Sequence, residues 1–555
     1  MKRKRIGILF IIAILFVFLI FRGLPLAINA YLNAHAERIV SEMITRTPDL
    51  GDHSVAFGHI LFDFDFYGTY LELGDIRIDP NEDIPQEKVK INLAAKSAHL
   101  TGFSWTSYFL ENSIMLDSAY LESVMVRTTS PSLDSLELGS PREQTGDNYE
   151  MISVRKVRFN RLSFYNNDSS NDSTRMSIKD LTVAANGFKL SKEDIANKEA
   201  LFHVDLVEGY MDEAAFHFNQ YRNAIYAKDL SFNSGENHLL IGGLELDNKL
   251  ERYEYINQFK FETDWIELDQ GELELKGLNF QSFFRKKVLQ AELIQAKNLV
   301  VNIFRDKRKP KDVDRRPAMI HTIIRELPKD LMIGEFRLEN GLIAYQERPD
   351  TDAPRAGAIH FEDINASIHN ITNIPDVVAS NNKMEVKASG KVMGKGKVDM
   401  TVLFTLDSPE GEFHMKGSVG SMPLAALNEM IGPETKMAIR EGVLDNMYFN
   451  IYANDSEGTG DLIMKYHDLK IKMLDSDYKD NQNFIRKAGA FLANAFVVKN
   501  NNPSHKGELA EGKVYVKKKP SSFIFNYWWE LILSGMMSTL SGDSEAEMRE
   551  AAKGS

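Results

Sequence analysis

The chain has 555 residues, of which 43% are hydrophobic and 10% aromatic, and its formal net charge is −13. Its length allows about two to four domains or one array of repeats, and its composition is that of a folded protein. The acidic balance argues against a nucleic-acid partner, since phosphate binding needs a concentrated basic face. The absence of cysteine excludes disulfides, thiolate metal sites and a cysteine nucleophile.

Residues 1–28 predict a cytoplasmic basic tip followed by a transmembrane anchor. Lys2–Arg5 precede an uncharged apolar run, Ile6–Phe21. A helix continued through Ile28 would be about 34 Å long, enough to span hydrocarbon. The basic tip predicts a single-pass protein of the inner membrane with its N-terminus in the cytoplasm and its bulk in the periplasm. A cleaved signal peptide is the alternative. The predicted anchor residues are Ile6, Leu9, Phe10, Leu15, Phe18 and Phe21.

The segment 29–48 predicts an amphipathic helix, and from about Val55 the hydrophobic period changes to two, as in half-buried strands. One strand phrase then recurs, consisting of an apolar-x-apolar start, a polar pair and a second alternating stretch. Its copies are Leu121–Arg127, Val157–Tyr165, Ile294–Ile303 and Phe336–Tyr345. A shorter phrase sets an aspartate before Leu or Ile, which is typical of turn or bulge chemistry. These aspartates are Asp180, Asp229, Asp363 and Asp468.

These patterns predict a mainly β fold, in which an N-terminal transmembrane helix precedes an elongated, repetitive antiparallel β array with short helices and a helical C-terminal tail. Stacked strand pairs would bury a continuous apolar face. The predicted segments are the anchor (1–28), the amphipathic helix (29–48), a periplasmic β-repeat region (49–305), a linker with a short helix (306–330), a second β domain (331–480) and a helical, aromatic tail (481–555).

No motif in the sequence carries catalytic, metal or cofactor chemistry. The 13 histidines are scattered without zinc-site spacing. Gly390–Lys397 departs from the spacing of a phosphate loop, and Asp475–Asp480 places a lysine at a calcium-ligand position. A nucleophile elbow is missing as well. We therefore expect a non-enzymatic protein without a metal or cofactor.

Two regions offer candidate binding surfaces, and each has two interpretations. The first is one face of a predicted strand, which is either an open lipid groove or part of a closed core. Its residues are Val398, Met400, Val402, Phe404 and Leu406. The second is the aromatic cluster Tyr527, Trp528 and Trp529 beside Lys517–Lys519, which predicts either a membrane-interface contact or a helix that caps the β array.

The basic N-terminus with its single apolar run and four stretches of the β region together carry a family resemblance. The four stretches are Ile333–Tyr345, Phe413–Met422, Ile439–Phe449 and Gly458–Leu469. In these features the chain resembles the AsmA-like envelope proteins, in their Bacteroidota-type form. The resemblance implies a taco-like β groove with an apolar interior, similar to that of the longer TamB-like and YhdP-like bridge proteins. About 25 strands at ~4.8 Å would extend over at most ~120 Å.

The resemblance implies a membrane-anchored role in cell-envelope biogenesis, through binding of phospholipid or another acyl-chain lipid or its transport toward the outer membrane. The alternative is an interaction scaffold that modulates the assembly of outer-membrane proteins. Expected partners are accordingly the inner membrane, a lipid and other envelope proteins. The family supplies no catalytic residue to carry over.

Overall fold

A computed structural model describes residues 22–45, 52–65, 68–85, 88–132, 150–191, 203–286, 288–312, 314–351, 353–474 and 499–553. The fold is mainly β, which confirms that part of the prediction. The chain forms two compact units. The first comprises Met1–Gly242 and Asn279–Lys287, and the second comprises Gly243–Leu278 and Val288–Ser555.

Helices are short, apart from one 18-residue helix near the C-terminus. They are α1 (Leu24–Ala34), α2 (Ala36–Thr45), α3 (Trp105–Leu110), α4 (Arg252–Asn257), α5 (Phe280–Lys286), α6 (Ile320–Arg325), α7 (Pro375–Ser380), α8 (Asn428–Thr435), α9 (Ile524–Ser541) and α10 (Glu545–Lys553).

The strands follow one another along most of the chain. They are β1 (His53–Ala56), β2 (His59–Phe64), β3 (Thr69–Pro80), β4 (Lys90–Thr101), β5 (Ser113–Ser130), β6 (Met151–Asp168), β7 (Thr174–Ser191), β8 (Leu206–Phe218), β9 (Asn223–Asn233), β10 (His238–Asn248), β11 (Asp264–Lys276), β12 (Leu289–Lys297), β13 (Val300–Asp306), β14 (Leu331–Arg348), β15 (Gly357–Thr372), β16 (Lys383–Val392), β17 (Gly396–Thr405), β18 (Phe413–Val419), β19 (Met422–Pro423), β20 (Met437–Ala453), β21 (Glu457–Met473) and β22 (Gly512–Lys517).

Neighbouring strands in the sequence are mostly neighbours in the sheet. In the first unit, β3 pairs with both β1 and β2, and β3 to β9 then pair in chain order. In the second unit, β11 pairs with β12 and β13, and β14 to β18, β20, β21 and β22 continue the order. Where the structure describes the register, the pairings are antiparallel except those of β5 with β6 and of β12 and β13 with β14.

The repeated phrases mark a left-handed residue within or between strands. In the longer phrase this is the second residue of the polar pair, and in the shorter phrase it is the aspartate. The eight residues have φ between 50° and 56°, and they are Ser123, Arg161, Asp180, Asp229, Asn298, Asn340, Asp363 and Asp468. The pairing register shifts beside several of them, for example between Phe159 and Leu162. The predicted turn or bulge chemistry is confirmed at Asp180, Asp363 and Asp468, where the register shifts, whereas β9 keeps its register with β8 across Asp229.

Each such residue lets the apolar face continue across a bend. Residues three apart would face opposite sides of a regular strand, because side chains alternate with a period of two. Across the break at Arg161, however, Phe159 pairs with Leu121 and Leu162 pairs with Val124, all on one apolar face. Bulges also bend strands and increase their twist. The sheet of each unit is therefore creased where these residues lie on neighbouring strands.

Helix α1 covers the free edge of β2. The Asn33 amide accepts from the Phe62 N–H at 2.8 Å and donates to the Phe62 carbonyl at 2.8 Å. Asn29 pairs in the same way with Phe64, at 2.6 and 3.2 Å. Helix residues four apart lie about 6 Å apart, close to the ~6.6 Å between alternate strand residues. Side chains thus satisfy edge groups that would otherwise invite another strand.

Helix α9 covers the edge strand β22 by the same geometry. The Lys513 N–H donates to Ser538 Oγ at 2.9 Å, and the Tyr515 N–H donates to Ser534 Oγ at 3.2 Å. Ser534 also donates to the Tyr515 carbonyl at 3.0 Å. The serines are four residues apart on the helix, and their partners are two apart on the strand. Both covered edges are therefore closed to simple strand addition.

The structure does not support the predicted N-terminal transmembrane helix, and this part of the fold prediction is wrong. Within the described ranges, no helix is long and apolar enough to cross a membrane. The end of the predicted anchor instead starts α1, whose Ile28 and Leu32 pack into the core of the first unit while Asn29 and Asn33 bind β2. The predicted anchor positions all lie outside the described residues. They are Ile6, Leu9, Phe10, Leu15, Phe18 and Phe21.

The crease predicts how one position responds to substitution. Asp468→Val should destabilise the second unit by about 1–3 kcal/mol, because a β-branched residue is strained at φ 56°. Asp468→Gly should be nearly neutral, since glycine adopts this conformation freely. Urea unfolding followed by circular dichroism measures both. Asp399→Val, within β17, is the control and should change stability by less than about 0.5 kcal/mol. Equal losses in the two valine variants would contradict the role of the left-handed residue.

Candidate functional site

The face predicted as a lipid groove in β17 lies largely within the core of the second unit. Val402 and Phe404 are fully buried, and Leu406 is 4% exposed. Val398 and Met400 are half-buried and pack against the same core. The structure therefore brings these five residues together on an apolar cluster, most of which other elements cover.

Helix α9 supplies much of that cover. The Trp528 ring lies 6.3 Å from the ring of Phe404, and Tyr527 meets the ring of Phe413 edge-on at 6.2 Å. Tyr527 is fully buried and Trp528 is 9% exposed, whereas Trp529 is 39% exposed. The predicted aromatic cluster is thus divided: two of its members cap the core, and the third points outward.

A second apolar face lies in the first unit, on β6 to β9. Cross-strand pairs place its large side chains on one side of the sheet, because directly opposed residues share a face. The pairs are Phe159 with Val183, Leu162 with Leu181, Phe164 with Ile178, and Met211 with Leu230, while Phe232 lies opposite Gly209. We call these nine apolar side chains, without the glycine, the open apolar face.

Burial on this side of the sheet falls from β3 toward β9. Near α1 and α2, Leu73 and Ile76 are each 6% exposed and Val124 is 3% exposed, in one core with Leu32 and Val40. On the open apolar face, all side chains except Met211 are only half-buried. The main helix contacts found in the described part of this unit fall on β1, β2 and β5. The apolar face thus continues beyond its helical cover.

The local geometry of the open apolar face is that of a shallow floor. An added Cβ at Gly209 would lie 2.7 Å from Cζ of Phe232, so the ring occupies the space above the glycine. Phe280 of α5 lies 6.5 Å from Phe232, ring centre to ring centre, and marks one border. Four strands at ~4.8 Å separation give a floor about 14 Å wide. A long apolar ligand matches this geometry better than a compact one does.

A buried charge cluster joins β14, the residue after β13 and helix α8. Glu347 is 3% exposed, and its carboxylate contacts the Lys307 ammonium. Tyr345 Oη donates to Glu347 at 2.5 Å, and Glu434 of α8 lies 3.6 Å from Lys307 Nζ. A buried ion pair of this kind is strongly disrupted when one partner is removed. The cluster thus links α8 to the sheet.

The two carboxyl groups of this cluster have pKa values shifted in opposite directions. Burial, followed by the hydrogen bond and the charge of Glu347, raises the pKa of Glu434. Burial also acts to raise the pKa of Glu347, but hydrogen bonds from Glu434, Lys307 and Tyr345, together with the Lys307 charge, lower it overall. The arrangement favours a neutral Glu434 beside an ionised Glu347.

In the ranges that the structure describes, no group of three or more His, Asp or Glu side chains is arranged to hold a metal ion. No sequence pattern indicates the Glu347–Glu434 contact, because the two residues lie far apart in the chain, one on a strand and one on a helix. For the open apolar face a signal existed, since two copies of the repeated phrase, Leu121–Arg127 and Val157–Tyr165, lead into it.

The closed core predicts that Val402→Asp unfolds the second unit, because an unpaired charge would be buried at a fully inaccessible position. We expect a loss of about 3–5 kcal/mol, measured by thermal unfolding. The control is Thr401→Asp, at the next residue and on the opposite, polar side, between Lys387 and Lys416 on the neighbouring strands. If both variants melt at the wild-type temperature, the core is open.

The charge cluster predicts a pH dependence of stability. Since the folded pKa of Glu434 is raised above its unfolded value, its stabilising contribution is complete below the unfolded pKa and is lost as pH rises through the folded pKa. The free energy of unfolding of the wild type should therefore fall between about pH 5 and pH 8 more than that of Glu434→Gln. Glu429→Gln, on the exposed side of α8, should keep the wild-type slope. Identical slopes in all three proteins would contradict the assignment.

Comparison with known proteins does not place the chain in a family. No family model matches it, and no curated protein matches it, so the resemblance to AsmA-like envelope proteins stays a prediction.

Proposed function

We propose that the first unit binds the acyl chains of a phospholipid on the open apolar face, as a non-catalytic protein of cell-envelope lipid handling. The observation that carries this proposal is the continuous row of large apolar side chains on β6 to β9, all half-buried except Met211. The choice of a phospholipid as the ligand, and of the cell envelope as the location, rests on the sequence resemblance to AsmA-like proteins.

An acyl chain suits this surface for two physical reasons. Contiguous apolar surface is unfavourable in water, and an occupant that removes it gains about 25 cal/mol per Å². Each methylene of the chain that is buried contributes a further ~0.8 kcal/mol, so about ten of them suffice for micromolar binding before the cost of ordering the chain. An acyl chain that is buried on this face needs no directional polar contact, which matches the apolar composition of the face.

Scaffolding of other envelope proteins by strand addition is less favoured. Such a mode needs free backbone groups on an edge strand. Those of β2 already pair with Asn29 and Asn33, and those of β22 pair with Ser534 and Ser538.

A charge on the open apolar face should remove bound lipid. We expect Val183→Glu, and the milder Leu181→Gln, to lower co-purified phospholipid at least about fivefold, because the charge or amide would be desolvated under the chain. Lipid is measured by mass spectrometry of extracts from the full chain, and thermal melts confirm folding.

The matched control for this experiment is Thr182→Glu. Its side chain lies on the opposite side of β7 from Val183, since adjacent strand residues alternate. The control should retain the wild-type amount of lipid. Wild-type protein free of lipid, or equal lipid in the control and both face variants, would contradict the proposal.

A further inference from the structure

The outer side of α9 is a continuous apolar stripe. From Phe525 to Met537, the exposed residues are spaced four apart, and every one of them is a large hydrophobic. Their exposed fractions are 60% for Phe525, 39% for Trp529, 37% for Leu533 and 41% for Met537. At this spacing they lie one above the other along the helix. We call these four residues the α9 stripe.

This arrangement is unusual for a helix that packs on a sheet. Such a helix normally buries one apolar side and presents polar side chains to water. The inner side of α9 already performs the packing, since Tyr527 and Leu531 are fully buried in the core of the second unit. The stripe is therefore surplus to folding, and a rigid helix presents it: Ser534 and Ser538 hold α9 against β22.

Charge is distributed unevenly along the stripe. Lys517 and Lys519 are exposed just before the helix, near the end that carries Phe525 and Trp529. Lys519 also reaches Glu530 at 3.3 Å. The opposite end leads to the acidic Asp543 and Glu547. Aromatic side chains beside lysines match the interface between lipid headgroups and acyl chains, where the rings enter the apolar layer and the ammonium groups meet phosphates.

We propose that the α9 stripe is a membrane-surface contact, through which the second unit lies on a lipid bilayer without crossing it. Phe525 and Trp529 enter most deeply, because the lysines adjoin them and the acidic end is held away from the phosphates. The helix keeps its inner contacts in this state, so binding requires no unfolding. The inference is independent of acyl-chain binding by the first unit.

Vesicle binding by matched leucine variants tests the proposal. The full chain is mixed with phosphatidylcholine–phosphatidylglycerol vesicles, and the bound fraction is measured by flotation. Leu533→Ser should weaken partitioning about tenfold, because one large side chain leaves the apolar layer. Leu509→Ser removes a leucine of nearly equal exposure, 39% against 37%, that is not part of α9. That control should bind as the wild type does.

Depth is tested with vesicles whose acyl chains carry bromine, which quenches nearby tryptophans. Quenching should be lost in Trp529→Phe, which still binds, whereas the buried Trp528 should contribute little. Absence of wild-type binding, or equal weakening by Leu533→Ser and Leu509→Ser, would overturn the proposal. So would self-association abolished by Leu533→Ser without any vesicle binding, which would assign the stripe to a second copy of the chain.

The outcome is separable from that of the proposed function. Val183→Glu should leave vesicle flotation unchanged, and Leu533→Ser should leave the amount of co-purified lipid unchanged. A protein that floats with vesicles but carries no lipid would support the stripe and contradict the acyl-chain site.

Discussion

Side chains on a β-strand alternate between two faces, and this period of two limits how a long strand can bend while keeping one face apolar. One extra residue in a regular strand moves every later side chain to the opposite face. When the extra residue is left-handed and lies at a bend, the apolar side chains on both sides of it stay on the same face. In this protein the residues that serve this purpose are aspartate, asparagine, serine and arginine at φ near 50°. The polar pairs of the repeated phrases therefore mark the positions at which successive strands bend.

A continuous apolar face then has to be covered, and the two units differ in how far this goes. In the second unit, α9 packs on β21 and β22 and places Trp528 near Phe404 and Tyr527 near Phe413. In the first, the core with α1 and α2 extends as far as Phe159 and Leu162 of β6, and the same kind of face continues to β9, half-buried except at Met211. One sequence pattern therefore produces both a closed core and an open apolar face.

Covered edges are the second consequence of building with long strands. A strand at the end of a sheet exposes unpaired backbone groups, which promote association with other chains. Here Asn29 and Asn33 form hydrogen bonds with the backbone of β2, and Ser534 and Ser538 do so with the backbone of β22. Both helices use side chains four apart, because that distance matches alternate residues of a strand. The solution is the same although the sequences differ.

Sequence periodicity was sufficient to predict the mainly β fold and the bulges at Asp180, Asp363 and Asp468, because both depend on residues close in the chain. It was insufficient to decide which apolar face is covered, since Val402 and Leu162 lie in equally alternating strands and their cover comes from distant helices. The N-terminal helix was mispredicted where the apolar run was extended through Ile28, because packing on a sheet and insertion in a bilayer both favour apolar residues. The Glu347–Glu434 contact had no local signal.

The central claim is that bound acyl chains lie on the open apolar face of the first unit. It is tested most directly by photocrosslinking with a phosphatidylethanolamine that carries a diazirine within its acyl chain, followed by mass spectrometry of the labelled peptides. The account predicts labels on β6, β7 and β9, at peptides that contain Phe159, Leu181 and Phe232. Labels concentrated on β17, at Val402 or Phe404, or an even distribution over the chain, would contradict it.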